Sequence, residues 1–380
     1  MNSFVLTGAT IHTGDDVIHD GTIIVTDGII EYVGSRHMSG SSIDLKGLTV
    51  TPGFIDVQVN GGGDLLFNDT PTADTLLKIM DAHAQFGTTQ LMPTYITGPR
   101  MKDALSAVLE VQQVSDSCLG IHFEGPLISK LGVHDPAYVQ SRFPGHLLDL
   151  RVRTMITLAP EAAEPDAIHT LVEKGAIVSI GHTNASFNEF QQAVRDGATC
   201  VTHLFNAMSP FGSRDPGVVG GFLSDDRVWG GVIADGDHAH FKSISLAYRA
   251  KPRGKLFLVT DAMPPVGGRL PSYRLGDLEI SVQDGRCVTT DGTLAGSALD
   301  MATAVRNCVQ RIGIPKDEAF RMASRYPAEM LGVDTSYGTI APGRLANFAI
   351  CDDDIYIHGA VRSGVLDDSI LTRQSHQNGR

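Results

Sequence analysis

Glu124, His182, His203 and Asp261 are the residues of this chain best placed to do chemistry together. Each falls where an apolar, β-branched run stops: Glu124 closes CLGIHFEG, His182 AIVSIGHT, His203 ATCVTHLF and Asp261 KLFLVTDA. A glutamate and two histidines offer three donors to one divalent metal. The aspartate is a separate carboxylate that can carry a proton, so the set suits a metal that activates water and a base that handles the water's proton. Taken singly, each has a bland reading. A strand-end His is most often a hydrogen-bonded core residue, a Glu before Gly-Pro a solvated turn, and an Asp before a break a helix cap. Their common position at strand ends gives them weight as a group.

Groups at the carboxyl ends of separate parallel strands meet at the mouth of a (β/α)8 barrel, where the active sites of that fold lie. The chain has the required rhythm. Strands are predicted near Gly53–Val59, Thr88–Pro93, Leu119–Phe123, Arg153–Leu158, Ala176–Gly181, Thr199–His203, Gly230–Ala234 and Lys255–Thr260. Their near-continuous apolar character fits strands buried on both faces. Amphipathic helices are predicted between them at Thr75–Gln85, Met101–Val114, Ala163–Glu173, Phe187–Arg195 and Phe241–Arg249. His182 and His203 sit one βα unit apart, which brings adjacent strand ends together. His122 shares the Glu124 face by period-two alternation and is expected to pack or hydrogen-bond one layer below the metal.

The first fifty residues read instead as short strands and turns, with Asp27-Gly28 between two β-branched runs as a hairpin signal. The segment GTIAPGRLANFAICDDDIYIHGAVRSG returns to that style. Neither end has enough strands for a core of its own, so the two are expected to pair. The fold class is α/β: a TIM-like (β/α)8 barrel over 52–341 with a small β-sandwich formed by 1–51 and 342–380. After the eighth strand, YRLGDLEISVQDGRCVTTDG reads as an inserted hairpin with turns at Gly276-Asp277 and Asp284-Gly285, followed by helices at Leu299–Ile312 and Glu318–Leu331.

Composition narrows the function. A formal charge of −13 with no basic run argues against nucleic-acid binding, and an anionic substrate would need cations gathered locally. Five dispersed cysteines (Cys118, Cys200, Cys287, Cys308, Cys351) fit reduced core thiols better than a disulfide framework. No signal peptide or membrane span is read, so a cytoplasmic protein is expected. Neither GxxxxGK[ST] nor GxSxG occurs, and no lysine ends the fourth or eighth strand, which disfavours Schiff-base chemistry or a bridging modified lysine.

The blocks PGFIDVQVNG, HFEGP, GHTNAS, THLFNAM, ADGDH, LVTDAM and GTLAGSALDM, in that order, resemble the N-acetylglucosamine-6-phosphate deacetylase family of the amidohydrolase superfamily. The resemblance runs from about Pro52 to Gly343, and the strand-rich ends resemble that family's small domain. It implies removal of acetate from N-acetylglucosamine 6-phosphate to give glucosamine 6-phosphate, in amino-sugar catabolism and cell-wall recycling. Glu124, His182 and His203 would hold one divalent metal, commonly zinc, although these donors do not separate zinc from iron, manganese or cobalt. Asp261 would be general base and then acid. Val133 and His134 would lie on a substrate loop, with His134 near the acetyl carbonyl.

The resemblance further implies that Asn206, Ala207, the run Asp235, Gly236, Asp237 and His238, and the run Leu294, Ala295, Gly296 and Ser297 contact the sugar phosphate. Arg214 would bind phosphate, reaching the site of a neighbouring subunit in a homodimer. One departure from the wider superfamily is visible. Where most members end the first strand with His-x-His, this chain has Gln58-Val59-Asn60. Amides are poor ligands for zinc, so a single-metal site is expected, with both amides hydrogen-bonding nearby. The galactosamine epimer as substrate, a cyclic-amide hydrolase and a non-catalytic scaffold stand as the alternatives.

Overall fold

The computed structural model describes residues 3–36 and 41–367. The part of the predicted C-terminal strand region beyond residue 367 lies outside the described residues. Two compact units are present: the first holds the described residues up to Asp56, His83–Gln90 and those from Met301 on, the second Val57–Ala82 and Leu91–Asp300.

In the first unit the two ends of the chain share one sheet, as their style predicted. Thr49–Pro52 runs antiparallel to Phe348–Cys351, with Pro52 opposite Phe348 and Thr49 opposite Cys351. Phe4–His12, Val17–Thr26 and Ile29–Gly34 continue the sheet on one side, Ile357–Arg362 and Val365–Leu366 on the other. Asp27 and Gly28 both have positive φ (49° and 81°) and pair Thr26 with Ile29, the tight turn that the Asp-Gly pair foretold. Leu6, Ile11, Ile23, Val50, Phe348 and Ile350 form the centre of one apolar core.

His12 lies in this unit with its ring edge-on to Phe320, centroids 5.0 Å apart. Burial, helped by the nearby Lys316 ammonium, pushes its imidazole down to about 4. The unfolded chain, titrating at the ordinary value, therefore takes up a proton on acidification before the folded chain does. The stability due to neutral His12 is complete above about pH 6.5 and is lost as the pH falls from there towards 4. His12→Leu should flatten this limb, so that its Tm falls by a few degrees less than wild type between pH 7 and 4.5. Parallel Tm curves for the two proteins would refute the assignment.

The barrel strands are Phe54–Val59 (β1), Thr88–Ile96 (β2), Ile121–Glu124 (β3), Thr154–Leu158 (β4), Ile177–Ile180 (β5), Cys200–Val201 (β6), Trp229–Val232 (β7) and Leu256–Leu258 (β8). They neighbour one another in chain order, and the ladders from β2 to β8 are parallel. A parallel bridge from Val59 to Ala262 and a hydrogen bond from Asp261 N to Gln58 O (2.9 Å) join the last strand's end to the first. The predicted helices appear within a few residues of expectation, Phe187–Arg195 starting on a capping box made by Ser186 and Glu189.

One helix, Gly217–Ser224, was not foreseen. Its glycines are needed for contact, since a Cβ on Gly221 would stand 2.4 Å from Phe190. The inserted hairpin is a four-stranded antiparallel sheet, Ser272–Leu275, Leu278–Gln283, Arg286–Thr289 and Leu294–Ser297, and both predicted turns are present. The expected helix Glu318–Leu331 is two helices, Lys316–Ala323 and Arg325–Leu331, broken at Ser324. All five cysteines are buried and free. No helix among the described residues is long and apolar enough to cross a membrane.

Candidate active site

Glu124 is the last residue of β3, whereas His182, His203 and Asp261 stand just beyond the last paired residues of β5, β6 and β8. All three of these have positive φ (49°, 31° and 53°). Residues other than glycine seldom adopt that region, and it is a known location of strain at functional sites. Here it turns the chain sharply off the strand.

The donor atoms converge. Glu124 Oε1 is 3.3 Å from His182 Nε2 and 3.0 Å from His203 Nε2, and the two Nε2 atoms are 3.1 Å apart. His182 Nδ1 lies 2.7 Å from the carbonyl of Lys130, to which it must donate, so Nε2 presents its lone pair. Ligand atoms each about 2.0–2.1 Å from a tetrahedral zinc are about 3.3 Å from one another, close to the spacing seen. Glu124, His182 and His203 are the group among the described residues that could hold a metal ion. A divalent cation fits this donor set and relieves the confrontation of two imidazole nitrogens.

Asp261 faces the same cavity from the other side. Gln58 Nε2 donates to both Glu124 Oε1 and Asp261 Oδ1, at 3.2 Å each, and Asn60 Nδ2 donates to Asp261 Oδ1 at 2.7 Å. Burial pushes the Asp261 carboxyl up to about 6, with the Glu124 charge adding to it. For Glu124 burial also acts upward, but the hydrogen bonds and charges of His182 and His203 outweigh it and hold that carboxyl well below the usual range. Burial and the neighbouring His182 keep His134 neutral. Two carboxylates in one buried site thus differ in proton affinity, which is the arrangement that separates a ligand from a proton carrier.

The cavity has a volume of about 290 Å³. Glu124, His182, His203, Asp261 and Asn60 line it, together with Val133, His134, Asn206, Ala207, His238, Leu294 and Gly296. His134 Nδ1 is 3.0 Å from Thr97 Oγ1, and its ring meets that of His182 edge-on at 4.3 Å. Asn206 Nδ2 donates to the carbonyls of His203 (3.2 Å) and Leu204 (3.3 Å). His238 is held by Asp235, whose Oδ2 lies 2.6 Å from its Nδ1 and whose Oδ1 accepts the backbone N–H groups of Asp237 and His238. Gly236, with φ of 91°, completes that turn.

Other expected residues are not among those lining the cavity. Arg214 is exposed on the loop after β6. Ala295 and Ser297 alternate with Leu294 and Gly296 along one strand. Ala295 O accepts from Tyr273, while Ser297 Oγ donates to Thr260 O at 2.6 Å and Ser297 N to Asp261 O at 2.9 Å. Ser297 therefore fastens the end of β8. Gly296 has φ of 63°, and a Cβ there would stand 2.4 Å from Met263 Cγ. His122 lies below Glu124, its Nε2 2.7 Å from Thr157 Oγ1 and its Nδ1 3.1 Å from Val57 O.

Ile96, Gly132, Met263 and Thr293 also line the cavity and went unnoticed in the sequence. Ile96 lies beyond Pro93, where the predicted second strand stops, and the observed register sets it beside Glu124; Met263 and Thr293 carry no local signal.

A model of the amidohydrolase family matches residues 49–373. The chain belongs to the amidohydrolase family. This amidohydrolase is 41% identical over 363 residues, 91% of either chain, to an N-acetylgalactosamine-6-phosphate deacetylase of Shewanella sp. (strain ANA-3). It is 35% identical over 377 residues to an N-acetylglucosamine-6-phosphate deacetylase of Haemophilus influenzae, covering 95% of this chain and 98% of the relative. The crystal structure of an N-acetylglucosamine-6-phosphate deacetylase from Pasteurella multocida superposes with a TM-score of 0.93 at 38% identity, over 96% of this amidohydrolase and 99% of that chain.

Proposed function

We propose that the protein removes acetate from N-acetyl-D-glucosamine 6-phosphate to give D-glucosamine 6-phosphate. The observation that carries this reading is the convergence of Glu124, His182 and His203 opposite Asp261 in one cavity, in a chain similar over nearly its whole length to sugar-phosphate deacetylases. A divalent ion held by Glu124, His182 and His203, for which zinc is our choice, would supply Lewis acidity that makes water a nucleophile near neutral pH and polarises the acetyl carbonyl. Asp261, whose Oδ1 is taken by Asn60 and Gln58, receives the proton of the attacking water at Oδ2. It then returns that proton to the departing nitrogen.

His134 faces the carbonyl oxygen as that oxygen gains negative charge. The role requires the tautomer in which Nε2 carries the proton, with the Thr97 hydroxyl, which lies 3.0 Å from both the Glu124 carbonyl and Nδ1, turned from that carbonyl to donate to Nδ1. Asn206, Ala207, His238, Leu294 and Gly296 would border the sugar, and Asp235 would orient His238, while the Asp237 carboxylate faces Arg286. A phosphate dianion needs a strong cation, yet no arginine or lysine is among the described residues lining the cavity. The exposure of Arg214 fits a homodimer in which this residue enters the neighbouring copy's site. We assign the barrel domain to 52–341, the small domain to 1–51 and 342–380, and the cytoplasm as the working compartment.

The Shewanella relative's name makes the galactosamine epimer the second substrate to try. The test is acetate release from both phosphorylated epimers, with elemental analysis of the same sample. Metal-replete protein that liberates acetate from neither epimer would end the proposal.

A further inference from the structure

We infer that Asn60 is a positioning residue that spans proton carrier and substrate, its Nδ2 holding Asp261 and its Oδ1 accepting the N–H of the amide to be cut. The inference rests on the deacetylase reading above. Asn60 is 1% exposed and lines the cavity beside Asp261. Its bond to Asp261 Oδ1 fixes the orientation of the amide, because an ionised carboxylate can only accept. Asn60 Oδ1 is thereby turned from Asp261, and although buried it has no hydrogen-bond partner among the described residues. Buried acceptors without donors are rare and costly. Asn60 lines the cavity that substrate would enter.

An acetamido group brings one N–H, on the nitrogen that Asp261 must protonate. With that N–H held by Asn60, the electron pair that develops as the carbonyl is attacked turns towards the neighbouring Asp261. The C–O bond forms and the C–N bond breaks. The proton that Asp261 took from water ends on nitrogen, while the N–H on Asn60 stays with the amine throughout. Gln58 differs: its Nε2 bridges Glu124 and Asp261, and its oxygen is not one of the unpartnered atoms.

The test compares Asn60→Ala with wild type on N-acetylglucosamine 6-phosphate and on 2-O-acetylglucose 6-phosphate, an ester that has no N–H. Metal content is measured on each preparation. The expected result is a wild-type metal content and a kcat lowered about 100-fold on the amide but about 10-fold on the ester, with KM little changed. Asn60→Asp keeps acceptor oxygens and loses the donor, so its losses on the two substrates should be equal; it also serves if the alanine variant does not fold. Equal losses for Asn60→Ala, unequal losses for Asn60→Asp, or a fall in metal content that accounts for the lost rate would overturn the inference. Wild-type protein inert towards the amide would instead overturn the reading beneath it.

Discussion

Asp261→Asn should retain the metal content of wild type and lose turnover by about three orders of magnitude or more, the upper range for removal of a positioned acid–base group. The substitution nearly preserves shape, and the three metal donors lie on other residues. What it removes, on the proposed mechanism, is the oxygen that takes the water proton and later gives it to the leaving nitrogen. Because one group serves both steps, neither attack nor expulsion can proceed normally. KM should move little, since the loss falls on the transition state. Single-turnover rates beside elemental analysis would decide the matter. A variant with normal metal and near-normal rate would show that the proton carrier lies elsewhere.

Glu124→Gln should produce the opposite pattern: loss of rate because the metal is lost. Its Oε1 stands within 3.3 Å of both histidine donors, and replacing the carboxylate with an amide leaves two neutral imidazoles to hold a dication. Affinity should drop by more than about 100-fold, since even partners one step removed from a metal cost 10–100-fold when lost. A readout independent of catalysis is available. A metal bound only by the folded chain stabilises it by about 2.7 kcal/mol at a hundred times its Kd. Wild-type Tm should therefore fall on chelation and recover on metal addition, whereas Glu124→Gln should respond to neither. An unchanged metal response in the variant would remove Glu124 from the ligand set.

Much of this was legible in the sequence because burial on both faces writes a plain signal. The β-branched runs ending at Glu124, His182, His203 and Asp261 could be read as strands without knowledge of their neighbours, and the barrel geometry then gathered their ends. Helix Gly217–Ser224 was not legible: glycine is a poor helix former, and a helix buried on most sides has no polar face to mark its period. The break at Ser324 did carry a signal: Pro327 has no N–H to give the Ala323 carbonyl and sits in the first turn of the second helix. Within the site, the facing of Ala295 and Ser297 away from the cavity follows from strand alternation once a strand is recognised at Leu294–Ser297. No strand is predicted there from the sequence, where the inserted hairpin ends at Gly292. The partners of Gln58 and Asn60 depend on the contact between residues about two hundred positions apart, which no local pattern encodes.

That distant contact has a further consequence. The proposed proton carrier, Asp261, is tied to Gln58 and Asn60 at the seam where the first and last barrel strands meet, by Asp261 N to Gln58 O and by the two amide bonds to its carboxylate. An incompletely wound chain could already bring together the proposed metal donors of the third, fifth and sixth strands yet leave the carboxylate adrift. Metal uptake would then precede hydrolysis as the chain matures, and the onset of turnover would time the final stitch of the barrel.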